Sequence, residues 1–233
     1  VLHIPPSHHF PTGTVTPASR RYELLGWAAK QEGRYIIEDE YDSEFRLVGN
    51  PIPALQSIDA SDKVIYMNTF SKSLSSTIRI SYMVLPIPLM VRYNHVLSFY
   101  ACTVSNFDQY TLTRFIQEGY LEKHINRMRK FYRNSRDRIL GCIRSHRLYP
   151  QVTIKEENAG LHFLMEIDTS YTDREMVDRA AAAGINISSL SQYCHGKEQE
   201  DSHTLVINYS GIEEDIIEEA CDRLLESVVC LTT

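Results

Sequence analysis

The chain has no cysteine pair at C-x-x-C spacing, no excess of positive charge and no apolar run long enough to cross a bilayer. Its five cysteines, Cys102, Cys142, Cys194, Cys221 and Cys230, are odd in number and scattered, which speaks against a disulfide framework or a zinc site and for reduced thiols. Apolar stretches break within about ten residues, where a membrane-spanning helix needs about twenty, and no basic segment precedes an apolar core at the N-terminus. These absences place the chain in the cytoplasm, away from a membrane. A net charge of −6 argues against a nucleic-acid surface on this chain itself, because phosphate binding needs a net basic face. Internal repeats and low-complexity segments are also missing.

What is present is an ordinary globular composition: 233 residues, 43% hydrophobic and 23% charged, enough for one large core or two small ones. The opening Val1-Leu2-His3-Ile4 reads as a strand running into Pro5-Pro6, without a polar tail or start methionine. The expectation is a piece of something longer. Thr16 and Pro17 read as N-cap and first helical residue, with Tyr22, Leu25, Ala28 and Ala29 as the apolar stripe of a helix ending near Gly33. Residues 35–37 and 64–67 read as buried strands ending on Glu38-Asp39-Glu40 and on Thr69, and residues 78–85 form a third apolar run. This alternation predicts an α/β domain over residues 1–104. Residues 105–145 lack proline and carry Phe115, Ile116, Tyr120, Ile125, Met128 and Tyr132 at helical spacing, predicting one or two long helices. Their many basic residues are dispersed around the helix, as on a solvated or interdomain face. Residues 146–233 predict a small α+β domain, with strands near 152–155, 161–167, 185–188 and 204–209 and helices after Thr172 and after Ile212. In the last helix Ile212, Ile216, Ala220, Leu224 and Val228 form the expected stripe.

Chemistry gathers at the predicted strand ends, where open α/β sheets place their ligand sites. Lys72 follows the second strand, and a lysine amine in a partly desolvated, cationic setting can form an imine with an aldehyde. Arg79, with the hydroxyls of Thr69, Ser71 and Ser73, offers a fork of donors to one phosphate group. Asp39 can keep a pyridine nitrogen protonated, and Tyr41 can bond a phenolic oxygen. Taken singly, each has an ordinary reading: a strand-end cap, a surface cation, a solvated lysine. Together they occupy three local strings.

Those strings are Pro6-Ser7-His8-His9-Phe10-Pro11-Thr12-Gly13, Ile36-Ile37-Glu38-Asp39-Glu40-Tyr41-Asp42-Ser43-Glu44-Phe45, and Thr69-Phe70-Ser71-Lys72-Ser73-Leu74 running to Ile78-Arg79-Ile80-Ser81-Tyr82. In this order they resemble fold-type-I proteins that bind pyridoxal 5'-phosphate (PLP). The Glu-Asp-x-Tyr-Asp-Ser-Glu-Phe block, the phenylalanine before Pro-Thr-Gly, and the run from Gly119 to Arg129 are similar to the effector domain of MocR-type regulators of the GntR superfamily. The resemblance covers nearly the whole chain. It implies the C-terminal part of a fold-type-I large domain, followed by a small α+β domain. It further implies Lys72 as the Schiff-base anchor, Asp39 at the pyridine nitrogen, Tyr41 at the ring oxygen, and Arg79 with Thr69 or Ser71 at the phosphate. Such regulators join a winged helix-turn-helix DNA-binding domain to a domain that senses PLP, often with an amino compound, and their sites are shared across a homodimer. The winged helix, the glycine-bearing phosphate loop and the aromatic residue that stacks on the ring lie outside this sequence.

Two departures from the aminotransferase pattern bear on turnover. Phe10 stands where asparagine would bond the ring oxygen; His8 and His9 are candidates to substitute, with turn packing the favoured role for either. No arginine occupies residues 205–209, where a substrate carboxylate would be clamped; Val206 falls at that place. The resemblance therefore implies a sensor, with a class I/II aminotransferase fragment as the alternative.

Overall fold

A computed structural model describes residues 1–49, 52–158, 160–195 and 201–230. The chain divides into two compact units, one made of residues 1–9 and 14–129, the other of residues 10–13 and 130–233. No helix among the described residues is long and apolar enough to cross a membrane.

The first unit is built on a four-stranded sheet in the order β1 (Leu2–Ile4), β2 (Ile36–Glu40), β3 (Val64–Thr69), β4 (Ser81–Val84). The first three strands are parallel, and β4 returns antiparallel along β3. Helix α1 (Ala18–Ala29) makes the crossover from β1 to β2, and the one-turn α2 (Leu55–Ile58) lies between β2 and β3. Alternation along β2 turns Ile36, Glu38 and Glu40 to the buried side and leaves Ile37 and Asp39 half-exposed on the other. On the buried side Ala28, Ile36, Leu55 and Val64 form a closed cluster, with Leu2, Ile4, Leu24 and Leu25 against it. Burying each of the large aliphatic members stabilises the unit by about 1.5–3 kcal/mol. The short α3 (Phe70–Ser73) follows β3 directly, and α4 (Ile87–Leu97) and α5 (Asn106–Gln117) follow β4. Gly119, at φ +72°, ends α5 before α6 (Tyr120–Ser145), which runs from the first unit into the second.

The second unit carries an antiparallel sheet in the order β5 (Val152–Lys155), β6 (His162–Ile167), β8 (Thr204–Asn208), β7 (Ser188–Ser189), together with α7 (Asp173–Ala182) and α8 (Ile217–Val228). A capping box starts α7: the Thr172 hydroxyl accepts from the Glu175 amide at 3.2 Å, and the Glu175 carboxylate accepts from the Thr172 amide at 2.8 Å.

The mixed α/β architecture is the one expected, with local corrections. Thr16 does not cap α1; Pro17 stands at the N-cap and no side chain caps the helix. Tyr22 points outward, and Arg21 takes its place on the buried stripe. The expected strand over 185–188 reduces to Ser188–Ser189 at the sheet edge, where only two residues pair with β8. The last helix begins at Ile217, not after Ile212, and buries Ile217, Cys221, Leu224, Leu225 and Val228, so Ile216 and Ala220 sit one step off the core stripe. A turn at Glu214–Ile216 precedes the helix.

Candidate functional site

The first unit gathers the predicted residues at the carboxyl ends of its parallel strands. Asp39 is the penultimate residue of β2 and lies opposite Met67 of β3. Thr69 ends β3 two residues further on, so the pleat sends both side chains to the half-exposed face. The Asp39 carboxylate is bonded at 3.1 Å to Nε2 of His3, which β1 places on the same face. Sequence reasoning missed His3; its contact joins residues 36 positions apart, and only strand register reveals it.

The Thr69 hydroxyl does two things: it accepts from the Ser71 amide at 3.2 Å, starting α3, and donates to the Ile80 carbonyl at 3.2 Å. Arg79 donates through Nη1 to the Ser71 hydroxyl at 3.3 Å, and Ser71 donates to the Ile78 carbonyl at 2.8 Å. The segment from 69 to 81 is closed by the Phe70 amide on the Ile80 carbonyl at 2.9 Å. Thr69, Ser71 and Arg79 are thus held together, with most guanidinium donors of the exposed Arg79 left to a ligand. Ser73, the third hydroxyl considered, is buried. Lys72 stands on α3, exposed, with no hydrogen bond or ion pair among the described residues. A free amine, a forked cation beside two hydroxyls, and an oriented carboxylate form a donor set that fits a phosphorylated aldehyde on a pyridine ring.

Tyr41 fits less directly. Its hydroxyl donates to the His8 carbonyl at 2.8 Å, which leaves the oxygen as an acceptor. Burial first, then the nearby carboxylates of Asp42, Asp39 and Glu40, push its ionisation far above the ordinary phenol range, so the group stays neutral.

Behind the sheet lies a buried polar network that the sequence did not announce. Arg21, 1% exposed, donates to the carbonyls of Thr16, Pro53 and Pro6 at 2.8 to 3.0 Å. Its nearest carboxylate oxygen, on Glu38, is 3.9 Å away, so the carbonyls hold it more than the ion pair does. Glu38 accepts from the Leu55 and Gln56 amides at 2.6 and 2.9 Å, capping α2 from a neighbouring strand. Glu40 accepts from the Ser7 hydroxyl at 2.6 Å, and burial pushes its carboxyl up to about 7. His8 joins Asp42 at 2.8 Å, both buried, as an interior pair. The helical spacing of Arg21 with Leu25 and Ala28 was the one available signal for this network.

Phe10 belongs to the second unit, where its ring meets His162 and Tyr193 edge-on at 5.3 and 5.0 Å. His162 is a packing residue there, its Nε2 within 3.2 Å of the Pro11 carbonyl. Val206 is buried in β8 opposite Leu164 and Ser188. His146, Asp222 and Glu226 bring ligand-type atoms within 4.8 Å of one another on the surface. Nδ1 of His146 accepts from the Leu148 amide at 3.2 Å, which leaves Nε2 to donate to Asp222 at 3.1 Å, and Glu226 accepts from Arg147 at 2.8 Å.

Comparison with known proteins agrees with this geometry. The profile of the family "Aminotransferase class I and II" matches residues 5–224. The HTH-type transcriptional regulator YdeL of Bacillus subtilis is 40% identical over 96% of this chain and 48% of its own length. The probable rhizopine catabolism regulatory protein MocR of Rhizobium meliloti is 32% identical over 99% of this chain and 46% of its own. The chain therefore spans about half the length of the curated relatives it matches. Among solved structures, kynurenine aminotransferase of Pyrococcus horikoshii, in complex with PMP, superposes with a TM-score of 0.83 at 28% identity, over 97% of this chain and 55% of that one. With its strand-end donor set, its sheet order and a family match over nearly all its length, the chain belongs to the aminotransferase class I and II family.

Proposed function

We propose that this chain is the PLP-binding, effector-sensing part of a MocR-type transcriptional regulator of the GntR superfamily. The observation that carries the reading is the placement of Asp39 and Thr69 on one face at the strand ends, with Ser71 and Arg79 bonded beside Thr69 and Lys72 on the helix that follows, read with the likeness to HTH-type regulators. PLP, when bound, supplies an aldehyde that condenses with amines and a ring that withdraws electrons. Lys72 would offer the amine that anchors it, and that an amino-compound effector displaces. Arg79 would hold the phosphate as a fork, with Thr69 and Ser71 turning their hydroxyls from the Ile80 and Ile78 carbonyls toward it. Asp39, steadied by His3, would hold the proton on the ring nitrogen, and Tyr41 would lie at the ring oxygen. DNA contacts would come from an N-terminal winged-helix domain of the full-length protein, acting as a homodimer in the cytoplasm.

Phe10 in place of asparagine, and a last strand without arginine, favour sensing over turnover. The test is titration of the full-length protein with PLP. A visible absorption band that Lys72→Ala abolishes, that shifts on adding an amine, and that accompanies altered DNA binding is the expected result. Absence of any band overturns the reading. Steady conversion of amino acids to oxo acids would replace it with an aminotransferase.

A further inference from the structure

Five apolar side chains of the second unit lie outside its core. Ile185 and Ile187 come just before the two-residue strand β7, and Ile212, Ile216 and Ala220 fall before or beside the buried stripe of α8. All five are half-buried or exposed, Ile216 at 45%. They converge on one cavity of about 500 Å³ within the second unit. Its floor is buried and aliphatic: Ile139 and Ile143 of α6, Val206 of β8, Ile217 and Leu224 of α8. At its mouth stand Phe10 and Tyr193, 41 and 39% exposed, with their rings edge-on at 5.0 Å. Apolar surface left in water is unfavourable by about 25 cal/mol per Å², and an apolar cleft of about 300–1,000 Å³ with a few polar groups is the usual form of a small-molecule site.

The polar character of the lining selects the molecule that fits. No lysine, arginine, histidine, aspartate or glutamate is among the described lining residues. A carboxylate or ammonium entering this cavity would lose its water and meet no counter-charge, which disfavours charged ligands. Val206 and Asn208, two residues apart on β8, share the face that lines it. The Asn208 Oδ1 accepts from the Ser210 amide and hydroxyl at 3.0 and 2.8 Å, which leaves Nδ2 to donate. Phe10 and Tyr193 offer aromatic surface to a further ring. We propose that this cavity is a binding site for an uncharged aromatic molecule carrying a carbonyl or hydroxyl oxygen. The ring rests on Ile139, Ile143 and Leu224, flanked by Phe10 and Tyr193, and the oxygen accepts from Asn208. Such a ligand brings no ammonium and needs no cofactor, so the site stands apart from the chemistry of Lys72.

The full-length protein, labelled on its isoleucine methyl groups, is titrated by NMR with indole-3-acetamide and separately with indole-3-acetate, which has nearly the same shape and a negative charge. The expected result is saturable shifts of the Ile139, Ile143, Ile187 and Ile212 methyls with the amide, unmoved Ile36 and Ile65 in the first unit, and binding of the carboxylate weaker by about tenfold or more. Ala220→Trp, which fills the cavity from a half-buried position of α8, should abolish the shifts with circular dichroism unchanged. Asn208→Lys, at an exposed strand end, should reverse the preference by supplying a cation, a readout that a merely misfolded variant cannot give. Equal affinity for the two probes, or shifts in the first unit instead, overturns the proposal. So do cavity methyls that neither probe moves, as when another segment of the full-length protein fills the space.

Discussion

The two sheets are packed on opposite principles. Behind the first, β2 presents Glu38 and Glu40 to the interior at 0 and 3% exposure, and Arg21 is buried with them. In the second, Phe163, Met165 and Leu205 fill the equivalent strand positions with no exposed surface. An apolar interior loses only packing when trimmed. An ionisable one loses a paired charge, and its stability depends on pH. The difference teaches that the first unit spends part of its core on fixing loops: Arg21 ties residues 6, 16 and 53 together, and Glu38 caps α2.

The largest break in this contrast is Arg21→Met. It leaves three carbonyls and Glu38 without their buried cation and should destabilise the first unit by about 3–5 kcal/mol, read as a lower urea midpoint by probes in that unit. Restoration by Arg21→Lys should be partial, because an ammonium cannot reproduce the fork.

Next is the pH dependence. Glu40 holds its proton in the folded state up to about 7, above the ordinary carboxylate value of 4.5. A raised carboxyl contributes stability that is fully present below 4.5 and is lost as pH rises through about 7. The loss amounts to about 3 kcal/mol across that window. Glu38 and Glu44, also raised by burial, add in the same direction. Urea midpoints should therefore fall from pH 4.5 toward 7.5, and Glu40→Gln should flatten the slope. An unchanged slope in that variant would remove Glu40 as its source.

The smallest effect tests the apolar side. Ile143, 1% exposed on α6, should cost about 0.5–1.5 kcal/mol when changed to Val, without altering the pH profile. A pH-dependent loss there would erase the distinction between the two interiors.

How much of this was legible follows from the range of each interaction. Alternation and helical spacing are local, so the strands near 36, 64, 152, 162 and 204 and the helices around them could be read from neighbours in sequence. The candidate site residues could be picked out because each lies within a few positions of a strand end. His3 on Asp39, Arg21 on Pro53 and Glu38 on the α2 amides could not be found that way; they cross 36, 32 and 17 positions. Tyr41 shows the limit from the other side: its place after β2 was visible, but the carbonyl that takes its proton was not.

By itself, then, the sequence determined the order of strands and helices, the strand-end set of Asp39, Thr69, Ser71, Lys72 and Arg79, and the family those strings resemble. These depend on periodicity and short spacing, which the chain carries along its length. Tertiary structure alone decided which carboxylates face inward and which histidine supports Asp39. Register between strands and rotation between helices are set by packing the whole unit, and a one-residue change in either sends a different side chain to each partner.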